Sequence, residues 1–554
     1  MNRVPDIIVE LPTGWRRIAV DDGTVWCRGT LTEAAIRRAF HGTGPSSPES
    51  FKQVLAGLSG HFALIAQFPD WRAAAVDRAR TIPVIWCVDE VGRLRAAQEG
   101  HVLRSTVPDR DGGIDPGQAL AVALSGYTIG AATLYRNIHG LTPGRYVFQQ
   151  HADSALSEGA YHRFRPWLAD QTSQDDALEM GRAADLTLEI LETTVARADG
   201  RPIAVPLSAG LDSRLIASGL KHLGYKNVLC FAYGLKGNHE AETSKTIAAR
   251  LGYPWRFVPY DNKSMSRVFA SAGYDGFRQY SDSLTGVHFP QDYRALTALL
   301  DDGYLPRESL LVNGQSGDFI TGNHIPKSMI RSGRNDSSEK RESRIVDALI
   351  AKHYKQWRFL MRPDLLAKIG DMLRSEIAEV TDGPLPSDPT TDYGVYEDCE
   401  FIDRQAKYVI NGQRVYEYLG IDWDLPLWDD RYVDYWSERP LSQKAGQRLY
   451  REMLVSQNWG GVWSGIPVNA KRIRPRWMIP IRLACKIAHA PLGRDRWHEF
   501  ERRFLTYPMT SLCGYSVRSW SQIAFDTRGP WTAISPHIED YLNEHGISLE
   551  SIAA

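Results

Sequence analysis

Net charge, cysteine and long apolar runs are all scarce in this chain of 554 residues. Lys and Arg number 65 against 66 Asp and Glu, so a bulk electrostatic attraction to nucleic acid or to an anionic membrane is not expected. The six cysteines show none of the spacings that bind metal, which favours reduced structural thiols in a cytoplasmic protein. No apolar run is long enough to cross a bilayer, and the first residues lack the apolar part of a signal peptide, so we expect neither a membrane span nor secretion.

Length and patterning predict two domains, residues 1–170 and 175–554, because so long a chain exceeds one hydrophobic core. The first is rich in short strand patterns, and a polar run follows it at 171–176. In the second, helices alternate with strands and then dominate. This order predicts an α/β fold whose doubly wound parallel sheet binds ligands at the carboxyl ends of its strands. The charged stretch 327–344 predicts a mobile surface loop, and a role as a lid stays open.

The segment with the most chemistry lies where an apolar strand, 203–207, ends in Ser-Ala-Gly-Leu-Asp-Ser. Small residues allow a tight turn whose N–H groups converge on an anion, and the next helix adds the positive end of its dipole. Asp212, set among these donors, suits a Mg²⁺ ion that bridges phosphate oxygens. We predict that ATP is held and pyrophosphate leaves here, although a plain turn capped by serine has the same composition. The predicted contacts to ATP are Leu207, Ser208, Ala209, Gly210, Leu211, Asp212 and Ser213.

This segment resembles the Ser-Gly-Gly-x-Asp-Ser pyrophosphate loop of the N-type ATP pyrophosphatases. Residues 313–318 (Asn-Gly-Gln-Ser-Gly-Asp) and 419–429 resemble, in the same order, two further signatures of asparagine synthetases, β-lactam synthetases and lasso-peptide cyclases. Nearer the N-terminus, 58–64 and 77–84 resemble strands of that family's glutaminase domain. The resemblance implies an N-terminal Ntn-like, β-rich αββα domain, a parallel-sheet ATP-pyrophosphatase domain and a mainly helical C-terminal part.

The resemblance also implies an activity and its cofactors, ATP and Mg²⁺. Such enzymes adenylate a carboxylate, release pyrophosphate, and let ammonia or another amine displace AMP, so their main work is to hold reactants and gather negative charge. The matching positions assign Mg²⁺ to Asp212 and Asp318. They also add Tyr233, Asn313 and Gly314 to the predicted contacts with ATP.

Two positions of the family's catalytic machinery are altered in this chain. Gln447 stands where the family has a lysine that neutralises pyrophosphate, so nearby Lys444 or Arg448 is expected to supply the charge. Gln315 stands where asparagine synthetases have Glu and β-lactam synthetases have Tyr, and an amide cannot act as a base. Ammonia that arrives deprotonated, or assistance by the substrate, would remove the need for one. The candidate replacement bases are Asp422, Glu400 and Asp403.

The N-terminal domain lacks the nucleophile of a glutaminase. Residue 2 is Asn and no cysteine precedes Cys27, whereas class II glutaminases use an N-terminal cysteine with its own α-amine as base. Residues 28–30 (Arg-Gly-Thr) align with the Asn-Gly-Glu that grips glutamine in the family. We therefore predict a structural remnant without glutaminase activity.

The substrate is the least determined part of the prediction. With Ala209 and Arg214, the segment Ser-Ala-Gly-Leu-Asp-Ser-Arg resembles the matching segment of asparagine-synthetase-like proteins of bacterial surface-polysaccharide assembly. Those proteins are implicated in amidating carboxylated sugars. Arg214 could reach a phosphate or an acidic substrate. The basic run 471–476 suits an anionic sugar phosphate or lipid carrier, or is a solvated turn.

We predict an amide ligase that acts on a small or sugar-borne carboxylate with ammonia or an amine. An intramolecular cyclase is the alternative, since it would equally lack a glutaminase. A non-catalytic ATP-binding protein is the third reading. No nucleic-acid partner is expected, and a homodimer is considered.

Overall fold

The protein, described by a computed structural model, has the α/β architecture that the sequence predicts. The structure describes residues 7–8, 10–42, 44–105, 113–151, 154–172, 175–330, 336–468, 473, 475–509 and 517–554. Two antiparallel sheets form the first part of the chain, and a parallel sheet followed by helices forms the second. No helix in these ranges combines the length and the apolar character that a membrane crossing requires.

Strand patterns in the first part were predictable at the centre of its larger sheet and not at its edges. Its described strands are β1 (Arg16–Val20), β2 (Gly23–Gly29), β3 (Phe62–Gln67), β4 (Arg72–Val76), β5 (Ile85–Val88), β6 (Leu94–Ala97), β7 (Ile138–Gly140), β8 (Arg145–Gln149) and β9 (Ser157–Ala160). Its described helices are α1 (Glu33–Ala39), α2 (Pro48–Ala56), α3 (Gly100–Arg104) and α4 (Pro116–Ser125). The sheets have the orders β1-β2-β3-β4-β8-β9 and β6-β5-β7. The edge strands β1 and β9 carry charge and glycine rather than a long apolar run, as is typical of sheet edges.

Side chains of β3 alternate between two hydrophobic cores. Leu64 packs with α1 and α2 on one face of the larger sheet, whereas Ile65 packs toward the smaller sheet on the other. Both faces are covered, so the strand is a continuous apolar run. Leu103 of α3 covers the far face of the smaller sheet. The layers therefore follow the order α, β, β, α, which confirms the predicted architecture.

The second part is built on a parallel sheet of order β12-β11-β10-β13-β14. These strands are β10 (Ile203–Pro206), β11 (Val228–Gly234), β12 (Trp255–Pro259), β13 (Leu310–Val312) and β14 (Asp422–Asp424). The helices interleaved with its first four strands are α5 (Asp176–Ala198), α6 (Asp212–His222), α7 (His239–Leu251), α8 (Asn262–Phe269), α9 (Ala272–Ser281) and α10 (Tyr293–Asp301).

Strand β10 lies at the topological switch point of this sheet. The chain leaves β10 through α6 to reach β11 on one side, whereas β13 pairs with β10 on the other. The connections that follow β10 and β13 therefore diverge and leave a crevice at the carboxyl ends of the strands.

Helices dominate the remainder of the chain, as predicted. The described helices are α11 (Gly317–Ile320), α12 (Lys327–Ile330), α13 (Ser338–His353), α14 (Pro363–Val380), α15 (Asp392–Glu400), α16 (Arg414–Tyr418), α17 (Asp430–Ser437), α18 (Leu441–Lys444), α19 (Arg448–Gln457), α20 (Met478–His489), α21 (Arg494–Phe500), α22 (Tyr507–Met509), α23 (Trp520–Phe525), α24 (Ser535–Glu544) and α25 (Leu549–Ala553). A π-helix, Phe401–Val409, continues α15.

The stretch 327–344, predicted as a mobile loop, lies partly in helices α12 and α13. Ser337 caps α13 by accepting a hydrogen bond from the Lys340 N–H, and Ile345 and Leu349 bury one face of that helix. The prediction of a loop was wrong for the residues in these helices, because their high charge belongs to the solvated face of a helix. Residues 331–335 of the stretch lie outside the described residues.

A buried arginine joins the first part of the chain to the second. Arg80 is 1% exposed and donates to the carbonyls of Leu141 and Ala406 and to the Thr285 hydroxyl. The two parts also share one hydrophobic core. Further polar contacts across the junction join Ser59 and Gly60 to Asp430, Arg78 to Asp434, and Arg28 to Glu417. Residues 58–64 and 77–84, which resemble glutaminase strands, thus supply contacts at this junction. The division into domains 1–170 and 175–554 stays a prediction.

We predict that Arg80→Met destabilises the protein by about 2–4 kcal/mol, because it leaves two buried carbonyls without their donor. The midpoint of urea unfolding measures the effect. Arg38→Met, on the exposed side of α1, is the matched control and should leave the midpoint nearly unchanged. Equal midpoints for both variants would show that the junction does not depend on this guanidinium.

Candidate functional site

The loop after β10 is shaped to receive an anion. The Ser208 N–H donates to the Ser213 hydroxyl over 2.9 Å, and the Gly210 N–H donates to the Ser208 hydroxyl over 3.1 Å. These bonds fold the loop around the start of α6, which no described side chain caps. The N–H groups of that first turn and the helix dipole are therefore available to a phosphate.

The loop after β13 is held tightly against the first. A Cβ atom added to Gly314 would lie 2.7 Å from the carbonyl carbon of Asp212 and from the nitrogen of Ser213, so only glycine allows this approach. The Asp318 N–H donates to Asp212 Oδ2 over 2.9 Å. The second loop thus orients the carboxylate of the first.

Electrostatics at this contact favour a bound cation. Burial raises the pKa of Asp212 to about 8, and the charge of Asp318 adds to the rise. Burial also raises the pKa of Asp318, but a 3.1 Å hydrogen bond from His324 and the charge of that ring outweigh it, so the net shift is downward. The raised pKa of Asp212 means that its ionised form is disfavoured beside Asp318. A divalent cation between the two carboxylates would stabilise the ionised form of both.

The donor set fits Mg²⁺ better than a tightly caged metal. Across the described residues no group of three or more His, Cys, Asp or Glu side chains is placed to hold an ion. Mg²⁺ usually takes one or two protein carboxylates and completes its shell with substrate phosphates and water. Asp212 and Asp318 match that requirement.

These loops line a cavity of about 720 Å³, a volume typical of small-molecule sites. A recess of about 190 Å³ adjoins it beside β11 and is lined by Leu207, Tyr233 and Glu240, among others. Ala209 lines neither space, because its side chain is buried. The predicted residues that line the main cavity are Ser208, Gly210, Leu211, Asp212, Ser213, Tyr233, Asn313, Gly314, Gln315 and Asp318.

A buried carboxyl, Asp292, links Tyr233 of β11 with the second loop. The hydroxyls of Tyr233 and Tyr416 both donate to it, and Asn313 donates to the Tyr416 hydroxyl over 2.7 Å. Burial raises the pKa of Asp292, and the two tyrosine hydrogen bonds offset only part of that rise. Sequence reasoning missed Asp292 and Tyr416, since neither lies within a quoted motif.

Gln315 and Ser316 carry polar atoms that lack a hydrogen-bond partner among the described residues. These atoms are Gln315 Nε2 and Ser316 Oγ, both buried, and both residues line the cavity. An unpaired buried group of this kind costs about 1–3 kcal/mol. A bound ligand that offers an acceptor would remove that cost.

Lys444 does not reach the cavity. The prediction placed it one helical turn from position 447, but the chain breaks between α18 and α19, where Gly446 and Gln447 have left-handed φ angles of 65° and 62°. The Lys444 ammonium instead pairs with Glu397 over 2.6 Å, and both side chains are buried.

Arg448 also lies outside the cavity walls, unlike another arginine of the same helix. The Arg448 guanidinium pairs with Asp176 over 2.6 Å at the protein surface. Arg451, three residues further along α19, does line the cavity. Sequence alone could not identify Arg451, because which side chains of α19 face the cavity depends on where that helix begins.

Neither Asp422 nor Asp403 is placed to act as a base. Asp422 opens β14, at the amino end of the sheet and so away from the crevice, and it pairs with Arg197 over 2.9 Å and Arg201 over 3.2 Å. Asp403 pairs with Lys407 over 2.7 Å and does not line the main cavity.

Glu400, the third candidate base, acts as a buried anchor for cationic side chains. His324 Nδ1 lies 2.5 Å from one carboxylate oxygen, and Lys352 Nζ lies 3.0 Å from the other. Burial alone would raise the pKa of Glu400, but the charges of His324 and His353 and their hydrogen bonds hold it well below its usual range. Glu400 therefore stays an anion and is a poor proton acceptor.

The cations held near Glu400 face the same cavity as the loops. Lys352, Lys355 and Arg404 all line it. The nearest carboxylate to Arg404 is Glu400, at 4.0 Å, and no hydrogen-bond partner for this guanidinium occurs among the described residues. Lys355 lies over the ring of Trp531, 5.2 Å from its centroid. This part of the wall has the charge expected of a site for an anionic group.

Two basic features of the sequence take no described part in the cavity. Arg214 is fully buried and donates to backbone carbonyls, among them those of Ala209 and Pro467, so it does not reach the cavity. In the basic run 471–476, residues 471, 472 and 474 lie outside the described residues.

Residues 187–282 match the family model of asparagine synthase. No curated protein sequence matches the chain. One similar solved structure is an NH3-dependent NAD synthetase from Campylobacter jejuni (14% identity, 37% of this chain and 96% of that chain covered, TM-score 0.20). Another is a glutamine phosphoribosylpyrophosphate amidotransferase from B. subtilis (10% identity, 49% and 76% covered, TM-score 0.19).

We predict that Gly314→Ala weakens ATP binding about tenfold or more, because the added methyl group forces the two loops apart. Isothermal titration with ATP and Mg²⁺ measures the dissociation constant. Gly181→Ala in α5, where a Cβ atom meets nothing within 4 Å, is the control and should bind like the parent protein. Unchanged binding by both variants would contradict the assignment of these loops to ATP.

Proposed function

Starting from the asparagine synthase segment at residues 187–282, we propose that this protein is an ATP-dependent, AMP-forming amide ligase without glutaminase activity. It adenylates a carboxylate and transfers ammonia or an amine to the acyl group. The observation that carries the proposal is the contact of Asp212 with Asp318 beside the uncapped start of α6. This contact of N–H donors with two carboxylates supports a site that binds phosphates together with a cation, as the release of pyrophosphate requires.

Each element of the loops has a defined task in this proposal. The first turn of α6 binds the departing phosphates through its N–H groups. Asp212 and Asp318 would hold Mg²⁺, which when bound neutralises phosphate charge. Arg451 adds a fixed positive charge to the cavity wall. The unpaired amide of Gln315 donates a hydrogen bond to the bound reactants and orients them.

The carboxylate substrate is assigned to the cationic part of the wall. Arg404 offers several donors without a competing hydrogen bond among the described residues, and Lys352 stands close by on Glu400. A carboxylate held there lies in the same cavity as the loops that hold ATP. The charge pattern fits a small or sugar-borne acid, in keeping with the sequence prediction.

The first part of the chain supports the loss of glutaminase activity. Cys27 lies inside β2 and is fully buried, and burial raises the pKa of its thiol to about 11. A thiol of that pKa carries almost no thiolate at neutral pH and is a poor nucleophile. Arg28, at the position of the family's glutamine-binding asparagine, donates to the Thr13 carbonyl over 2.9 Å and pairs with Glu417. Through these contacts Arg28 has a structural role.

The deciding experiment measures AMP and pyrophosphate release from ATP and Mg²⁺ across a panel of carboxylates, including uronic acids and their nucleotide-linked forms. Each acid is tested with ammonium, with glutamine and with no added amine. AMP formed with a carboxylate and ammonium, and not with glutamine, supports the proposal. AMP formed without an added amine would indicate the cyclase instead. No AMP from any acid, together with unchanged ATP binding by Asp212→Ala, would contradict a ligase.

We predict that Asp318→Asn lowers kcat/KM for AMP formation about 10²–10³-fold, because it removes one of two anionic ligands for the cation. Steady-state kinetics at saturating Mg²⁺ measure the loss. Asp422→Asn, which alters a carboxylate outside the cavity, should retain parent activity. The reverse ranking of the two variants would place the metal site elsewhere.

We predict that Arg404→Gln raises KM for the carboxylate about tenfold and leaves KM for ATP unchanged, because only the acid loses a charged partner. Lys368→Gln, on the exposed side of α14, removes the same type of charge at a distance and should alter neither constant. A rise in KM for ATP alone would assign Arg404 to the nucleotide.

A further inference from the structure

Helix α20 turns most of its apolar side chains toward solvent. Among the described residues of this helix only Met478 is buried. Ile479, Leu483 and Ile487 are 46%, 58% and 64% exposed. Their spacing of four residues aligns them along one stripe of the helix. Further exposed apolar residues of the same region are Trp477, Ile481 and Leu492.

The opposite face of α20 is already occupied. Arg482 lies over the ring of Trp497 in α21, 5.6 Å from its centroid, and forms an ion pair with Glu501. The ring of His489 lies 4.2 Å from that of Phe500. Among the described residues, the outward stripe therefore stays exposed after α20 has packed.

Two further exposed aromatic residues, Phe525 and Trp520, follow from ring contacts on the packed side of α20. Phe504 lies 5.1 Å from Phe500 and 6.0 Å from Phe525, and Trp520 lies 6.0 Å from Phe525. Phe525 is 64% exposed and Trp520 is 40% exposed. Neighbouring exposed apolar side chains on one helix face form a patch of the kind that marks an interaction site. We define the apolar surface as the outward stripe of α20, which consists of Ile479, Leu483 and Ile487.

Positive charge surrounds this apolar surface. Between residues 475 and 496 the chain has five basic residues and one acidic residue, although its total net charge is −1. Arg476, Lys486 and Arg496 are exposed, and none of them has an ion-pair partner among the described residues. The local charge is thus a feature of this surface and not of the whole protein.

We propose that the apolar surface binds an anionic lipid bilayer, with α20 lying in the plane of the membrane interface. The apolar side chains of the stripe would enter the acyl boundary, and the basic side chains would meet anionic headgroups. The 12 residues of α20 are fewer than the roughly 20 that span a bilayer. A second copy of the chain is a poorer partner, because self-association would bring the same basic residues together.

Flotation of the full-length protein with vesicles tests this proposal. One set of vesicles is pure phosphatidylcholine, and the other contains phosphatidylglycerol. We expect binding to the anionic vesicles that weakens several-fold in high salt, and little binding to the neutral ones. The variant Leu483→Glu with Ile487→Glu should bind at least about tenfold more weakly, and Lys486→Glu should reduce binding less.

Val455→Glu is the matched control, because Val455 is 63% exposed on α19, outside the surface. It should bind anionic vesicles like the parent protein, and thermal unfolding confirms that all variants are folded. Equal binding by the control and the double variant would overturn the proposal, as would no binding of the parent protein to either vesicle. A parent dimer that the double variant converts to a monomer, without vesicle binding, would identify a self-association surface instead.

Discussion

The site depends on one close approach, that of the loop after β13 to the start of α6. Gly314 leaves no room for a side chain at this contact, and the Asp318 N–H then reaches the Asp212 carboxylate. The approach brings two carboxylates close together, which by itself is unfavourable. Cation binding would relieve that cost, in keeping with the proposed magnesium site.

A buried carboxylate, that of Glu400, holds positively charged side chains in place. Glu400 gathers His324 and Lys352, and His324 in turn reaches Asp318. A continuous set of hydrogen bonds therefore runs from the proposed metal site to the cations that line the cavity. Because Glu400 is held as an anion, its effect is to keep those side chains charged and in place.

The first part of the chain has a structural use that does not need glutamine chemistry. Arg80 satisfies carbonyls from both parts of the chain, and Arg28 pairs with Glu417 across the junction. Such buried polar contacts specify how the two parts fit and are costly to break. The layered αββα unit therefore has a structural role in the fold that is independent of any reaction of its own.

Sequence by itself determined the order of sheets and helices, the strand that enters the loop at 207–213, and the pairing of Asp212 with Asp318 across two motifs. Those features follow from local patterns, namely apolar period, small residues in turns, and family signatures. Tertiary structure alone decided which charged residues reach the cavity. Arg451 lines the cavity whereas Lys444 and Arg448 do not, because a left-handed break at Gly446 precedes α19. Asp422 lies away from the crevice because it stands at the amino end of its strand. A side chain's direction depends on such breaks and on long-range packing, which sequence spacing does not encode.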